Sequence, residues 1–148
     1  MYKHILVSTD GSKLSGKAIR TAFRLAAAIG AKVTGLFVVP HYVPPVYSEG
    51  MIYAPTMSRS KYLASCKRVG RKALAAVEIE SQAARVPYGS AILAADTPWE
   101  GIVRAAKAKK CDLIVMASHG RRGLAGLLLG SETTKVLTHS RIPVLVCR

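Results

Sequence analysis

The 148-residue sequence predicts a doubly wound α/β fold, a five-stranded parallel sheet with helices on both faces. Three observations carry that prediction. Short apolar runs alternate throughout with longer stretches whose apolar residues recur every three or four positions. Gly30, Pro40 and Pro87 punctuate the boundaries between them. A glycine-rich loop, residues 117–131, joins an apolar run to a helix, the arrangement that lets backbone N–H groups and a positive dipole end approach an anion.

The elements follow in order. Residues 2–9 read as the first strand, and after Asp10-Gly11-Ser12 a helix carries Leu14, Ala18, Ala22 and Leu25 on one face. Residues 32–39 form the second strand, stopped by Pro40. Residues 40–57, with Pro40, Pro44, Pro45, Pro55, three tyrosines and Gly50, read as a long irregular loop. A helix over 58–84 repeats Leu63, Cys66, Val69, Ala73 and Val77. Residues 88–95 give the third strand, Pro98 the first position of a helix running to 109, and 112–116 the fourth strand. A short helix, 131–140, and a fifth strand, 143–147, complete a single domain spanning 1–148.

Right-handed crossovers leaving the first strand in opposite directions give the strand order 3-2-1-4-5. The ligand crevice then lies where the order reverses, beyond the ends of strands one and four, at Asp10 and Met116.

Composition narrows the function. Half of the residues are hydrophobic and 20% charged, as in a compact globular protein. The four-residue apolar burst at the N-terminus is too short for a signal peptide or a span, which points to the cytoplasm. Cys66, Cys111 and Cys147 are widely spaced and read as buried thiols. The net charge of +14 permits attraction to polyanions, but the basic residues are scattered over solvated helix faces and no nucleic-acid or membrane motif accompanies them.

The opening Lys-His-Ile-Leu-Val-Ser-Thr-Asp-Gly-Ser, the Asp-Leu-Ile-Val-Met-Ala-Ser-His-Gly segment and the closing Leu-Leu-Leu-Gly-Ser with Ile-Pro-Val-Leu-Val resemble the universal stress proteins over nearly the whole chain. ATP-binding members of that family carry Gly-x2-Gly-x9-Gly-(Ser/Thr) after the fourth strand. Gly120 matches the second glycine and Gly130-Ser131 the closing pair, whereas Ala117 replaces the first glycine and adds a Cβ. The resemblance implies a Rossmann-like, adenine nucleotide alpha hydrolase-like fold, with adenine near Ser8, Thr9, Asp10 and the backbone of Val38. Asp10 then suits a ribose hydroxyl or Mg2+, or it serves the Asp-Gly-Ser turn.

Ser131 and Thr133 offer hydroxyls to phosphate or to the helix end. Glu132 is a favourable first-turn carboxylate if its side chain turns to solvent, and repels phosphate otherwise. Arg121 and Arg122 either clamp a polyphosphate or serve as ordinary surface charges, and His119 either approaches phosphate or binds loop backbone. Residues 11–18 nearly spell a P-loop, but Ala18 stands where a magnesium-binding hydroxyl is required. No general base or hydrolase triad is visible.

Two functions compete. The first is an adenine-nucleotide (ATP) switch or sensor of the stress response with at most slow hydrolysis. The second is a nucleotide-free dimeric scaffold with a lapsed site. Either forms a homodimer through the apolar edge strand at residues 144–147.

Overall fold

The computed structural model describes residues 1–44, 46–48, 51–53, 57–120 and 129–148. Its elements are β1 (His4–Ser8), α1 (Lys13–Ile29), β2 (Lys32–Val39), β3 (Val46–Ser48), β4 (Met51–Tyr53), α2 (Arg59–Ala84), β5 (Tyr88–Ala94), α3 (Pro98–Ala108), β6 (Leu113–Ala117), α4 (Ser131–His139) and β7 (Val144–Cys147). The main sheet is parallel in the order β5-β2-β1-β6-β7, which is the expected 3-2-1-4-5 arrangement.

Alternation along β1 builds both halves of the core. Ile5 and Val7 face α1 and α2, packing with Ala22, Phe23 and Val77, while Leu6 faces α3 and α4 among Ile102, Ala106 and Val136. Ser12 caps α1 by accepting from Ser15 N–H at 3.1 Å, and Gly11, at φ 78°, makes the left-handed turn that brings the chain out of β1. Pro98 opens α3 as its position in the sequence requires.

Two expectations need correction. The 40–57 stretch is not wholly irregular, because β3 and β4 form a small antiparallel ribbon apart from the main sheet. Three-residue strands are too short to register as periodicity. The apolar stripe of α2 also starts late: Leu63 is 45% exposed and Cys66 half-buried, and burial begins at Gly70. A 26-residue helix runs about 39 Å, further than the sheet it covers. Its first turns instead meet the segment after β2, where Tyr62 Oη donates to Pro40 O and its ring lies 5.5 Å from that of Tyr42.

At the other end of the sheet, Asp112 accepts from the backbone N–H of Lys3 and His4 at 2.8 and 2.9 Å, and His4 Nε2 bonds Thr34 Oγ1 at 2.8 Å. Burial, with Lys32 nearby, lowers the His4 pKa below 6.5. Burial alone would raise the Asp112 carboxyl, but the two backbone N–H bonds outweigh it and hold the pKa below 3.8. Both groups bind protons more readily when unfolded, so stability present at neutral pH is lost on acidification. The urea midpoint should fall first as pH drops through 6.5, and again as it drops through 3.8 and below. His4→Gln should remove the first stage and Asp112→Asn the second, and denaturation curves across pH measure both.

Candidate functional site

The crevice lies beyond the carboxyl ends of β1 and β6. It is a cavity of about 740 Å³, within the size range of small-ligand sites. Leu36, Phe37, Val38, Ile102 and Met116 supply its apolar wall, with Pro40 and Pro98 at the ends of the following segments. Ser8, Thr9, Asp10, Ala117, His119, Gly120, Gly130, Ser131, Glu132 and Thr133 complete it with Ser15, so the structure gathers every expected site residue it describes. Arg121, Arg122 and Gly126 lie outside the described residues.

Asp10 serves the turn, one of the two roles open to it, with Oδ1 accepting from Ser12 N–H at 3.0 Å. A Cβ placed on Gly120 would come 2.9 Å from Asp10 Oδ2, so the end of β1 and the turn after β6 are in direct apposition. Thr9 is buried. Its hydroxyl accepts from Gly11 N–H at 3.1 Å and bonds Ser15 Oγ at 3.0 Å, which fixes the base of the cavity.

The start of α4 is tied to the end of β6. Gly130 N–H donates to Ser118 O at 2.7 Å, and Thr133 Oγ1 donates to Ala117 O at 3.0 Å. The Thr133 hydroxyl therefore neither caps its own helix nor waits for an anion, because the buried threonine lies beside the β6 carbonyl. Gly130 is the N-cap residue and offers no side chain, leaving the first-turn N–H groups of Ser131, Glu132 and Thr133 without intrahelical acceptors. Exposed Ser131 lines the cavity. His119 Nδ1 lies 3.2 Å from Ser118 Oγ.

Glu132 departs from expectation. Its carboxylate does not turn to solvent: Oε2 accepts from Trp99 N–H at 2.8 Å, and Oε1 lies 3.8 Å from Lys135 Nζ. The N-cap of α3, Thr97, makes no side-chain cap, so a carboxylate from α4 takes that role and its charge is spent on the dipole of α3. Ala117 is also accommodated. Its backbone lies outside the left-handed region, so the Cβ that replaces a family glycine imposes no strain there.

Sequence reasoning missed Ser15, Leu36, Phe37, Pro40, Pro98 and Ile102. Leu36 and Phe37 were accessible from the rule that ligands lie beyond strand ends. Pro98 and Ile102 belong to a helix entering from the third strand, and only the assembled sheet brings it to the crevice. The P-loop-like stretch is no phosphate cradle, since Ser12 caps its helix and Ala18 is fully buried.

Comparison with known proteins agrees with this architecture. The model of the Universal stress protein family matches residues 1–148. A universal stress protein of Thermus aquaticus, from the QAH/OAS sulfhydrylase 3' region, is 34% identical over 149 residues, covering all of both chains. A solved universal stress protein structure from Burkholderia pseudomallei superposes with a TM-score of 0.75 at 25% identity, over 98% of this chain and 95% of the other. A universal stress protein solved in complex with cAMP gives 0.67 at 26% identity, over 99% and 97%. With the family model spanning every residue and the sheet order and crevice in place, the chain belongs to the universal stress protein family.

Proposed function

We propose that this protein binds an adenine nucleotide, ATP, in the crevice between β1 and β6 and acts as a cytoplasmic switch of the stress response with at most slow hydrolysis. The observation that carries this is the uncapped N-terminus of α4 lining the same cavity as Asp10. The N–H groups of Ser131, Glu132 and Thr133 suit phosphate oxygens, and the positive end of the α4 dipole favours their charge. Leu36, Phe37, Val38 and Met116 suit a purine ring, and Asp10 a ribose hydroxyl. The Glu132 carboxylate is turned toward Trp99 N–H and Lys135, which directs its charge to α3 and a nearby cation. The relative bound to cAMP, at 26% identity, supports the ligand class.

The second reading is a dimeric scaffold, favoured by the edge of β7, which among the described residues pairs only with β6 and exposes Leu145. The homodimer through Val144–Cys147 belongs to either reading.

Calorimetric titration with ATP, ADP, AMP and cAMP, with and without Mg2+, tests the choice once mass spectrometry has established that no nucleotide was carried through purification. A dissociation constant on the order of micromolar, about −8 kcal/mol, is expected for ATP. A folded dimer that takes up none of the four would replace the switch with the scaffold.

A further inference from the structure

The opposite edge of the sheet is built for a different partner. β5 is an edge strand of seven residues, Tyr-Gly-Ser-Ala-Ile-Leu-Ala, with no lysine, proline or acid among them. Edge strands ordinarily carry such residues, or are covered, because an open row of N–H and C=O groups pairs with other chains. Pro87 O accepts from Val33 N–H, and Ala95 N–H donates to Val39 O, so the odd-numbered residues of β5 face β2. The even-numbered backbone groups, those of Tyr88, Ser90, Ile92 and Ala94, face outward. Among the described residues only the Ala94 carbonyl is covered, by Arg104 Nη2, and nothing pairs with the outward groups of Tyr88, Ser90 and Ile92.

Beside this edge runs a groove of about 520 Å³ between β5 and α2. Tyr88, 41% exposed, and exposed Ser90 form one bank, and Lys67 and Arg71 rise from α2 on the other. Glu78 also lines the groove, yet no carboxylate pairs with Lys67 or Arg71 among the described residues. The groove is therefore open backbone flanked by unpaired cations.

We propose that the β5 edge, with Lys67 and Arg71, docks an extended acidic segment of a partner protein by adding it as a strand to the sheet. Strand side chains alternate between faces, so a segment carrying a carboxylate at every second position places all of them on the α2 side, against Lys67 and Arg71. The backbone bonds hold the segment and the charges select it. A second copy of this chain is disfavoured as the occupant: pairing β5 with β5 about a two-fold axis brings like cations together in a chain of net charge +14. This site lies away from the cavity at β1 and β6 and does not depend on nucleotide binding.

Fluorescence anisotropy with a library of labelled ten-residue peptides that alternate glutamate with valine or threonine tests the proposal. Versions with glutamine for glutamate, versions N-methylated at alternate residues in either register, and oligo(dT) serve as comparisons. The acidic peptides should bind, and bind at least about tenfold more weakly to Lys67→Glu/Arg71→Glu, about 1.4 kcal/mol. Ser90→Pro, which removes an outward donor and leaves the ladder to β2 intact, should lower binding as much. Ser90→Glu, which keeps the donor and adds a repelling charge, should also lower binding and probes the same edge position by charge should the proline variant fold poorly, the N-methylated peptides then carrying the backbone test. N-methylation in one register should abolish binding, and ATP affinity should be unchanged in every variant. No binding by any acidic peptide, or equal binding by both N-methylated registers, would overturn the proposal. So would oligo(dT) binding that falls in the double variant and ignores Ser90→Pro, which marks a nucleic-acid surface. Dimerisation abolished by Ser90→Pro would assign the edge to a second copy instead.

Discussion

Gly130→Val is expected to lower affinity for ATP by on the order of 100-fold, about 2.7 kcal/mol, and to destabilise the fold as well. Position 130 is crowded by protein. A Cβ there would stand 3.2 Å from His119 Cα and 3.3 Å from both His119 Cβ and Ser118 O. Backbone cannot rotate aside as a side-chain tip can, so the 118–120 turn must give by a few tenths of an ångström for the Cβ alone and by more for the branched valine, which strains the 2.7 Å bond from Gly130 N–H to Ser118 O. The shift is passed to Gly120, which stands against Asp10, and to the start of α4, which Thr133 ties to the end of β6, so the two sides of the cavity are expected to move apart slightly. Overpacking of this kind costs about 1–3 kcal/mol. Gly16→Ala is the control, since a Cβ in that helix meets only Arg20 Nη1 at 3.7 Å; it should leave ATP affinity unchanged and stabilise α1 by about 0.5–1 kcal/mol. Unchanged ATP affinity in a folded Gly130→Val protein would remove the phosphates from α4.

The five main strands and four helices were legible because each carries its own signal. The apolar face of α1 and the proline at the start of α3 are local, and chain-wide alternation with right-handed crossovers fixes the strand order. What failed was long-range or very short. The β3–β4 ribbon rests on three residues a side, below any period. The exposed start of α2 reflects where the sheet ends in space, which Leu63 and Cys66 do not encode in their spacing.

The candidate site shows the same division. Topology alone put Asp10 and Met116 at one crevice, and both line it. The partners of individual polar groups were not legible. Thr133 bonds a carbonyl sixteen positions earlier, and Glu132 an N–H on another helix, thirty-three positions away. Both contacts exist only after α3, α4 and β6 have docked. Residue type told that Glu132 suits a helix N-terminus; the fold decided which helix.

Phe23→Ala is expected to destabilise the protein by about 3–5 kcal/mol, from a total of about 5–15 for a domain of this kind. Phe23 is 1% exposed at the centre of the face where α1 meets the sheet, among Ile5, Val7, Val33 and Val77. Little else in the chain offsets such a loss. With 22 lysines and arginines against 8 acids, net repulsion opposes compaction, and among the described residues the His41–Asp96 hydrogen bond and the Lys135–Glu132 ion pair sit at the surface, where such contacts contribute about 0–1 kcal/mol. Burial therefore carries the fold. The urea midpoint should drop with an unchanged slope, because the surface exposed on unfolding is nearly the same. Phe23 does not line the candidate cavity, so the variant should keep its ATP affinity, and ATP at a hundredfold excess over its dissociation constant should return about 2.7 kcal/mol. The two effects separate cleanly: a loss of stability without a loss of affinity assigns Phe23 to the core. A variant that ATP fails to stabilise would show that α1 and the crevice do not move independently, and that the end of β1 depends on how α1 is seated behind it.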